Sequence, residues 1–402
     1  MAEPGLRTRG PGPARIPGLE ARRAPAQAPT PVEVPTPTLP KGGGAIRSIA
    51  EKFSANPATG TGAIGVPIAV SAGRSGFGPQ LSLGYDSSAG NGPWGLGWSI
   101  SIPSISRKTE KGLPRYRDDQ ESDTFILSGA EDLVPVLVEQ GGKWVRDVVS
   151  VGNERRERYR PRVEAQFARI ERVTDTSTGE VFWRATTKDN VTSTYGKSAA
   201  ARIADPGHPK RIFRWLLEET RDDREKRDVG GNLVHPGNVV RYEYKAEDLA
   251  NVPLSVSERH RHEQLARVAN RYPKRILYGN RRGVLSPQAP ADFHFELVYD
   301  YGEHDALAPT PAEQVAWPVR QDAFSTYRSG FEIRSFRLCR RVLMFHRFQK
   351  LGGGPANNPT PVLVRSTDFS YEETPALSYL KRVTHKGYSK SGPSSYTRLA
   401  LP

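Results

Sequence analysis

Runs in which apolar and polar residues alternate recur along this chain, and stretches rich in glycine, proline, asparagine or aspartate separate them. The clearest runs are residues 64–70, 81–85, 98–102, 240–244 and 293–301. Alternation with a period of two puts successive side chains on opposite faces, so each run predicts a β-strand. With 38 glycines and 34 prolines among 402 residues, helix breakers are too frequent for a helical bundle. The sequence therefore predicts an all-β fold, a curved antiparallel sheet of many hairpins.

Some runs carry finer expectations. Pro67 lacks a backbone N–H and lies inside the first run, which predicts an edge strand or a bulge. Residues 293–301 form the longest strict alternation and predict a half-buried strand. Residues 331–348 are long enough for a hairpin arm or a bulged strand, and helical periodicity is confined to residues 257–269.

The N-terminal region differs in composition from the rest. Residues 1–38 are rich in proline and alanine and nearly devoid of large apolar side chains. Such a segment buries too little surface to offset the entropy of ordering, which predicts a disordered Pro-rich tail. Residues 39–402 are predicted to form one all-β domain. The start of the chain has no hydrophobic signal core, so we expect synthesis in the cytoplasm without a signal peptide.

The formal net charge is +14 at pH 7, and only one cysteine, Cys339, is present. A single cysteine excludes an internal disulfide framework and a Cys-rich zinc site. Acids and bases are interleaved, as in Glu154-Arg155-Arg156-Glu157-Arg158, which favours a solvated face over nucleic-acid binding. The basic stretches 155–162 and 271–282 are compatible with an acidic partner or with side chains covering a sheet face. No apolar run approaches the length of a membrane span, so direct membrane insertion is not expected.

The candidate chemical motifs are weak. Residues 90–95 match G-x-G-x-x-G, but Pro93 disfavours the helix that a dinucleotide site needs, which favours a glycine turn. His260, His262 and Glu263 could share a metal only in an extended or looped segment. Cys339 lies between Leu338 and Arg340, where packing is a better explanation than catalysis. We therefore predict no catalytic residue, no cofactor and no metal ligand.

Other segments carry a family resemblance. The positions are Lys41, Gly42, Gly43, Gly44, Phe53, Asn56, Pro57, Gly73, Gly76, Gly78, Trp98, Arg340 and Arg341, within stretches such as 39–46, 73–81, 90–98, 299–305 and 338–343. These stretches resemble SpvB-type proteins, which comprise the Salmonella virulence plasmid 65 kDa B protein and the B components of insecticidal toxin complexes (Tc toxins). The resemblance covers nearly everything after residue 38 and implies that these positions are structural.

The resemblance also implies a function. In Tc B components this region is a non-catalytic all-β part of a hollow Tc/Rhs-like shell, which acts outside the producing cell as part of a virulence factor. The implied partners are the C component, the A-component channel and the encapsulated toxin segment. The resemblance also implies that the domain continues past Pro402.

Two alternatives stay open. The chain could be the N-terminal region of an SpvB-like toxin whose ADP-ribosyltransferase domain lies beyond residue 402. The transferase pattern is missing here, since Asp368 follows Arg365-Ser366-Thr367 and Glu372-Glu373 is not Glu-x-Glu. The exposed aromatics suggest a third possibility, a surface carbohydrate-binding β module.

Overall fold

The computed structural model describes residues 52–55, 62–128, 132–162, 167–263, 268–286, 288–392 and 395–399. For 52–55 and 62–63 it describes the backbone alone. The predicted tail, residues 1–38, lies outside the described residues.

The described residues are organised mainly as strands. The first group is β1 (Lys52–Ala55), β2 (Gly62–Pro67), β3 (Ser82–Asp86), β4 (Asn91–Gly92), β5 (Gly95–Leu96), β6 (Trp98–Ile100), β7 (Ser104–Arg107), β8 (Phe125–Leu127), β9 (Asp132–Pro135), β10 (Leu137–Gln140), β11 (Lys143–Arg146), β12 (Val148–Val151), β13 (Glu154–Pro161), β14 (Arg169–Asp175), β15 (Val181–Thr186) and β16 (Thr192–Tyr195). The second group is β17 (Arg202–Asp205), β18 (His208–Arg221), β19 (Glu225–Arg227), β20 (Leu233–Pro236), β21 (Val239–Ala246), β22 (Arg271–Asn280), β23 (Phe293–Asp300), β24 (Phe324–Thr326), β25 (Ile333–Ser335), β26 (Arg341–His346), β27 (Val362–Glu373), β28 (Ser378–Gly392) and β29 (Ser395–Leu399).

Helices are short. The α-helices are α1 (Arg259–Glu263) and α2 (Gln349–Gly352), and 3-10 turns occupy Arg74–Gly76, Asp118–Gln120, Ala199–Ala201 and Pro290–Asp292. Among the described residues, no helix has the length and apolar character needed to cross a membrane.

Eight strands close into a ring. Successive antiparallel pairs join β7, β8, β9, β13, β14, β15, β16 and β18, and β18 pairs back onto β7. Closure depends on the pairing of Trp215 with Ile105, which are far apart in sequence. Because the ring is closed, each of these strands is hydrogen-bonded to a neighbouring strand on both sides.

A second set of strands forms an antiparallel meander that grows from the ring. β18 is 14 residues long, and on one edge it pairs with β7 at Arg214–Leu216 and with β21 at Glu219–Arg221. From β21 the order runs β22, β23, β26, β27, β28 and β29. The long β18 therefore joins the ring and the meander into one curved sheet, which confirms the predicted all-β fold of many hairpins.

Large aromatic side chains fill the ring. Trp183 is fully buried. The distance between aromatic centroids is 4.9 Å from Trp183 to Phe125, 5.0 Å to Tyr159 and 6.1 Å to Trp215. The interplanar angles of these contacts lie between 65° and 77°, the edge-to-face arrangement that aromatic quadrupoles favour. The interior of the ring of strands is therefore a packed core.

Three finer expectations were wrong. β2 pairs with β1 and with β3, so it is not an edge strand; Pro67 is tolerated because it is the last residue of β2, beyond the part that pairs with β1. β23 is buried on both faces because the meander is covered on both sides. Residues 331–348 do not form one arm, since β25 pairs with β24 in a separate small sheet and β26 lies in the meander.

Candidate functional site

The family positions divide into those that the structure describes and those that it does not. Lys41, Gly42, Gly43, Gly44, Asn56 and Pro57 lie outside the described residues, and for Phe53 only the backbone in β1 is described. Gly73, Gly76 and Gly78 lie between β2 and β3, Trp98 begins β6, and Arg340 and Arg341 lie where β26 begins. Trp98 packs against Tyr85 of the neighbouring strand β3, with 5.2 Å between ring centroids. The other described positions form separate contacts between elements of the fold, which we call joints.

The first joint is the loop of residues 71–78, which packs on β22 and β26. The Tyr278 hydroxyl donates to the Ser71 carbonyl at 2.7 Å, and the Ser71 hydroxyl lies 2.7 Å from His346 Nε2. A Cβ on Gly73 or Gly78 would lie 3.4 Å from the Tyr278 ring. That distance is an ordinary van der Waals contact. Glycine is required at position 73 for another reason, since its Cβ would lie 2.0 Å from the Phe77 carbonyl oxygen.

Arg74 extends this joint. Its guanidinium donates to the carbonyls of Gly237 and Asn280, both at 2.7 Å. These carbonyls lie just before β21 and at the end of β22. Gly76 has φ +76°, a left-handed conformation that lets the short turn reverse after Arg74. Arg74 therefore ties the loop to the meander.

Replacing Arg74 with alanine should lower the free energy of unfolding by about 2–3 kcal/mol, because two charge-assisted hydrogen bonds to backbone carbonyls are lost. Urea unfolding monitored by tryptophan fluorescence measures the loss. Arg328→Ala is the matched control, because Arg328 is exposed, and it should change stability by less than about 0.5 kcal/mol. Equal losses of unfolding free energy in the two variants would show that Arg74 does not tie the loop to the meander.

His346, in the same joint, gives the fold a pH dependence. Burial, with Arg365 nearby, lowers the pKa of His346 from its usual 6.5 to about 4. The unfolded chain therefore takes up a proton before the folded chain does. The contribution of neutral His346 to stability is complete above pH 6.5 and is lost as the pH falls toward 4.

We therefore expect the difference in unfolding free energy between the wild type and His346→Gln to shrink from pH 7 to pH 4.5. The groups that face His346 are Ser71, Phe295, Phe348 and Arg365, and they are common to both proteins. Urea unfolding at a series of pH values measures the difference. A difference that does not vary with pH would contradict the assignment.

The second joint is the segment that matches G-x-G-x-x-G. It forms the β4–β5 hairpin, with no helix following it, so the expected glycine turn is confirmed. The Trp94 ring packs edge-on against Tyr299 with 6.4 Å between centroids, and the Pro93 carbonyl accepts a hydrogen bond from the Cys339 N–H at 2.8 Å. The hairpin is therefore inserted against the core of the meander.

A buried ion pair holds this hairpin. Arg320 and Asp322 both have fully buried side chains, and their two hydrogen bonds measure 2.7 and 2.8 Å. Arg320 also donates to the Gly92 carbonyl at 2.7 Å, while Asp322 accepts from Asn91 at 2.8 Å and from Ser378 at 2.7 Å. The pair thus connects the hairpin to the start of β28, with each polar group satisfied by another.

Arg340 and Arg341 form the third joint. Arg341 Nε donates to Asp300 at 2.6 Å, which links β26 to the end of β23. Arg340 donates to Glu373 at 2.5 Å, and its guanidinium lies 5.8 Å from the centroid of the Tyr371 ring. Both arginines therefore act as cross-strand ties within the meander.

Beside Arg341 lies a buried cluster of Asp300, Glu303 and His304 whose ligand atoms lie within 4.8 Å of one another. Lys274 contacts Glu303 and places its ammonium 2.9 Å from His304 Nε2. Because the ammonium can only donate, His304 is neutral, with Nδ1–H donating to a backbone carbonyl at 2.8 Å. Burial and Lys274 accordingly lower the pKa of His304.

This cluster is already neutralised by protein cations. The Lys274 ammonium occupies the position between Glu303 and His304 that a metal ion would need, and Arg341 neutralises Asp300. Gly302, within the cluster, has φ +110°, and a Cβ there would lie 2.7 Å from Pro318. The arrangement orders the loop after β23 and offers no open coordination position.

The other candidate residues are not brought together. Cys339 is fully buried, and burial, followed by the nearby Asp300 and Glu303, raises the pKa of its thiol, so the adjacent arginines do not activate it. His260, His262 and Glu263 lie on α1, where residues two apart point to different sides. The pattern of two histidines therefore does not form a metal site on this helix.

The buried pair of Arg337 and Glu247 was not predicted from the sequence. Arg337 is fully buried, donates to Glu247 at 2.9 Å and to the Trp317 carbonyl at 2.9 Å, and its guanidinium lies 4.3 Å from the Trp317 ring. Neither residue belongs to a periodic or spaced motif. The segment around Arg337 reads as strand-like and basic, so no signal in the sequence identifies its buried partner.

Comparison with known proteins identifies the family. The family model described as "Salmonella virulence plasmid 65kDa B protein" (SpvB) matches residues 56–348, more than half of the chain. The chain belongs to the SpvB family. The mono(ADP-ribosyl)transferases SpvB of Salmonella choleraesuis (strain SC-B67) and Salmonella typhimurium (strain 14028s / SGSC 2262) are 35% identical to it over 372 residues. The match covers 89% of this chain and 57% of each relative.

Solved structures agree with the SpvB assignment. The N-terminal domain of the effector SpvB from Salmonella typhimurium strain LT2 is 35% identical with a TM-score of 0.69, and the match covers 81% of this chain and 99% of that domain. TcdB2-TccC3 is 33% identical with a TM-score of 0.73, covering 91% of this chain and 17% of that one. The Photorhabdus luminescens Tc holotoxin pore is 33% identical with a TM-score of 0.73, and the match covers 92% of this chain and 17% of that one. The predicted resemblance and fold are confirmed.

Proposed function

We propose that this chain is a non-catalytic structural module of a bacterial toxin complex, equivalent to the SpvB-type part of a Tc shell. One observation carries the proposal: the same fold accounts for 99% of the SpvB N-terminal domain and, at 33% identity, for a segment of TcdB2-TccC3. A fold shared by a two-part effector and by a large toxin assembly is expected to supply what they have in common, which is a scaffold.

The joints support this proposal. Gly73, Gly78, Arg340 and Arg341 contact other parts of the sheet, and the ion pair of Arg320 and Asp322 is fully enclosed. Breaking a buried ion pair by removing one partner is strongly destabilising, so such pairs constrain how the elements that carry them pack together. The family positions are therefore proposed to fix the shape of the module.

The proposal extends to domains and partners. Residues 39–402 would form the SpvB-type domain behind a tail of residues 1–38. The Tc-type relatives favour the C component, the A-component channel and the encapsulated toxin segment as partners, with action outside the producing cell.

A second candidate is the N-terminal region of an SpvB-like transferase. It is favoured by the names of the relatives that are 35% identical, of which this chain spans 57%. In that case the same module would carry a transferase domain beyond residue 402, and its own role would still be structural.

Labelling with NAD⁺ that carries a radioactive ADP-ribose moiety tests the absence of catalysis. The purified chain is incubated with a eukaryotic cell lysate, beside intact Salmonella SpvB as the positive control. We expect labelled protein with SpvB and none with this chain. Transfer by this chain would refute a purely structural role.

A further inference from the structure

A cavity lies beside β18, where this strand passes from the ring to the meander. Its volume is about 600 Å³, within the range of sites that hold small organic ligands. The lining comes from β15, β16, β18 and β21 and from the turn that joins β16 to β17. None of the joints described above uses this cavity, so its lining has no role yet.

Four of the lining residues form one row across the sheet. The register pairs Arg184 with Thr194 and Thr194 with Glu219, and Glu219 pairs in turn with Arg241. Directly paired residues share a face of the sheet, and Arg221, two positions after Glu219, lies on that face too. One face therefore supplies the cavity with three guanidinium groups, one hydroxyl and one carboxylate.

Some of the lining groups are already engaged within the protein. Arg184 donates to Glu154 at 2.9 Å, and Glu243 accepts a hydrogen bond from Arg275 at 3.2 Å. Glu218 accepts a hydrogen bond from a backbone N–H of the turn at 2.8 Å. These contacts hold the turn and the neighbouring strands in place around the cavity.

Other lining groups keep free hydrogen-bonding capacity. Among the described residues, the Thr194 hydroxyl and the Lys197 ammonium have no hydrogen-bond partner. The Glu219 carboxylate lies 3.9 Å from Arg221 Nε, beyond hydrogen-bonding distance. Arg241 donates to one backbone carbonyl at 2.9 Å and forms no ion pair with a described residue. Three cations and one carboxylate therefore remain open to a ligand.

These groups define the chemistry of the ligand. The excess of positive charge favours an anion, and guanidinium groups bind a carboxylate through paired hydrogen bonds. An ionised carboxylate only accepts hydrogen bonds, so a ligand at Glu219 must carry donors such as hydroxyl groups. Phe182, Tyr242 and Tyr244 add aromatic surface to the same lining, against which an apolar ring face can pack. A carboxylate, hydroxyl groups and an apolar ring face together are the features of a sugar acid.

We propose that this cavity binds a sugar acid, either free or at the end of an acidic saccharide. Arg221 pairs with Val239, two residues before Arg241, so the two guanidinium groups can reach one ligand carboxylate. Glu219 and Thr194 bind the hydroxyl groups of the sugar. The site goes beyond the structural role proposed above and does not depend on it. It gives the third possibility from the sequence, a carbohydrate-binding β module, a defined position in the fold.

Isothermal titration calorimetry of the full chain with sodium galacturonate tests this proposal. We expect saturable binding that weakens as salt rises, and binding of neutral galactose that is weaker by about tenfold or more, because galactose lacks the carboxylate. Arg221→Gln should weaken the binding of galacturonate by about tenfold. The matched control, Arg328→Gln, removes the same charge at an exposed position outside the cavity and should leave affinity within about twofold.

A second variant removes a hydroxyl and no charge. Thr194→Val keeps the branched shape of the side chain, and it should weaken the binding of galacturonate by about threefold, because one neutral hydrogen bond is lost. Circular dichroism checks the fold of each variant. Thr194→Val decides the test if Arg221→Gln does not fold, and unchanged affinity in Thr194→Val would then contradict the proposal.

Further probes identify the source of the ligand and separate it from simple anion binding. Equal affinity for galacturonate and for its trimer supports a free sugar acid, whereas tighter binding of the trimer supports the end of a saccharide. Equal binding of citrate, no saturable binding of galacturonate at millimolar concentrations, or equal losses in Arg221→Gln and Arg328→Gln would overturn the proposal. The NAD⁺ labelling result is independent of this titration, so either proposal can fail alone.

Discussion

Replacing Asp322 with asparagine should destabilise the protein by about 3–5 kcal/mol, because it leaves the Arg320 guanidinium buried without a counter-charge. Both side chains are fully buried, and the pair also holds Asn91 and Ser378. Burial opposes ionisation of Asp322, but hydrogen bonds from Arg320, Ser378 and Asn91 outweigh it and lower its pKa. Chemical unfolding at pH 7 measures the loss of stability.

An exposed ion pair provides the matched control for this change. Lys381 and Glu372 form an ion pair whose side chains are 60% and 56% exposed. Solvent screens such pairs, so Glu372→Gln should cost less than about 1 kcal/mol. Hydrogen exchange should also show faster opening of residues 91–96 in Asp322→Asn alone. A loss in Asp322→Asn no larger than in Glu372→Gln would contradict the view that this pair fixes the β4–β5 hairpin.

Replacing Trp183 with alanine should cost about 3–5 kcal/mol, because it opens a large cavity in the middle of the ring. Trp183 is fully buried and contacts Phe125, Tyr159 and Trp215. These residues come from β8, β13 and β18, so the loss should weaken the closure of the ring as well as local packing. Urea unfolding monitored by circular dichroism measures the effect.

An exposed tryptophan of the same protein provides the control for Trp183→Ala. Trp144 lies on the β10–β11 hairpin and is 69% exposed, so Trp144→Ala should change stability by less than about 0.5 kcal/mol. Trp183→Phe keeps an aromatic side chain and should lie between the two. Similar stability of the two alanine variants would show that the aromatic cluster does not hold the ring together.

The strands could be predicted from the sequence, because alternation reports directly on which faces of a strand are buried. β2, β3 and β21 overlap alternating runs, and β23 lies within one. Pro93 likewise indicated that residues 90–95 form a turn rather than a dinucleotide loop. These features depend on local geometry, which neighbouring residues specify.

The closure of the ring could not be predicted in this way. It requires Ile105 to pair with Trp215, and a period of two identifies strands without naming their partners. The finding that β18 belongs to both the ring and the meander also depends on this distant contact. Burial of β23 on both faces follows from the same long-range arrangement.

The burial of paired charges could not be predicted from the sequence either. Interleaved acids and bases such as residues 154–158 read as a solvated face, yet Glu157 is 6% exposed and lies 3.4 Å from Arg172. In the basic stretch 271–282, Arg275 pairs with Glu243 and Glu296. Each charge is satisfied by a residue distant in sequence, so composition alone could not distinguish paired from solvated arginines.

The most direct test of the structural role is to replace the matching segment of TcdB2-TccC3 with this chain and to examine the particles by electron microscopy. We expect particles of the same size and shape as those of the unmodified protein, because the replaced segment has the same fold. Open or aggregated particles, from a chimera in which this chain is shown by circular dichroism to be folded, would contradict it.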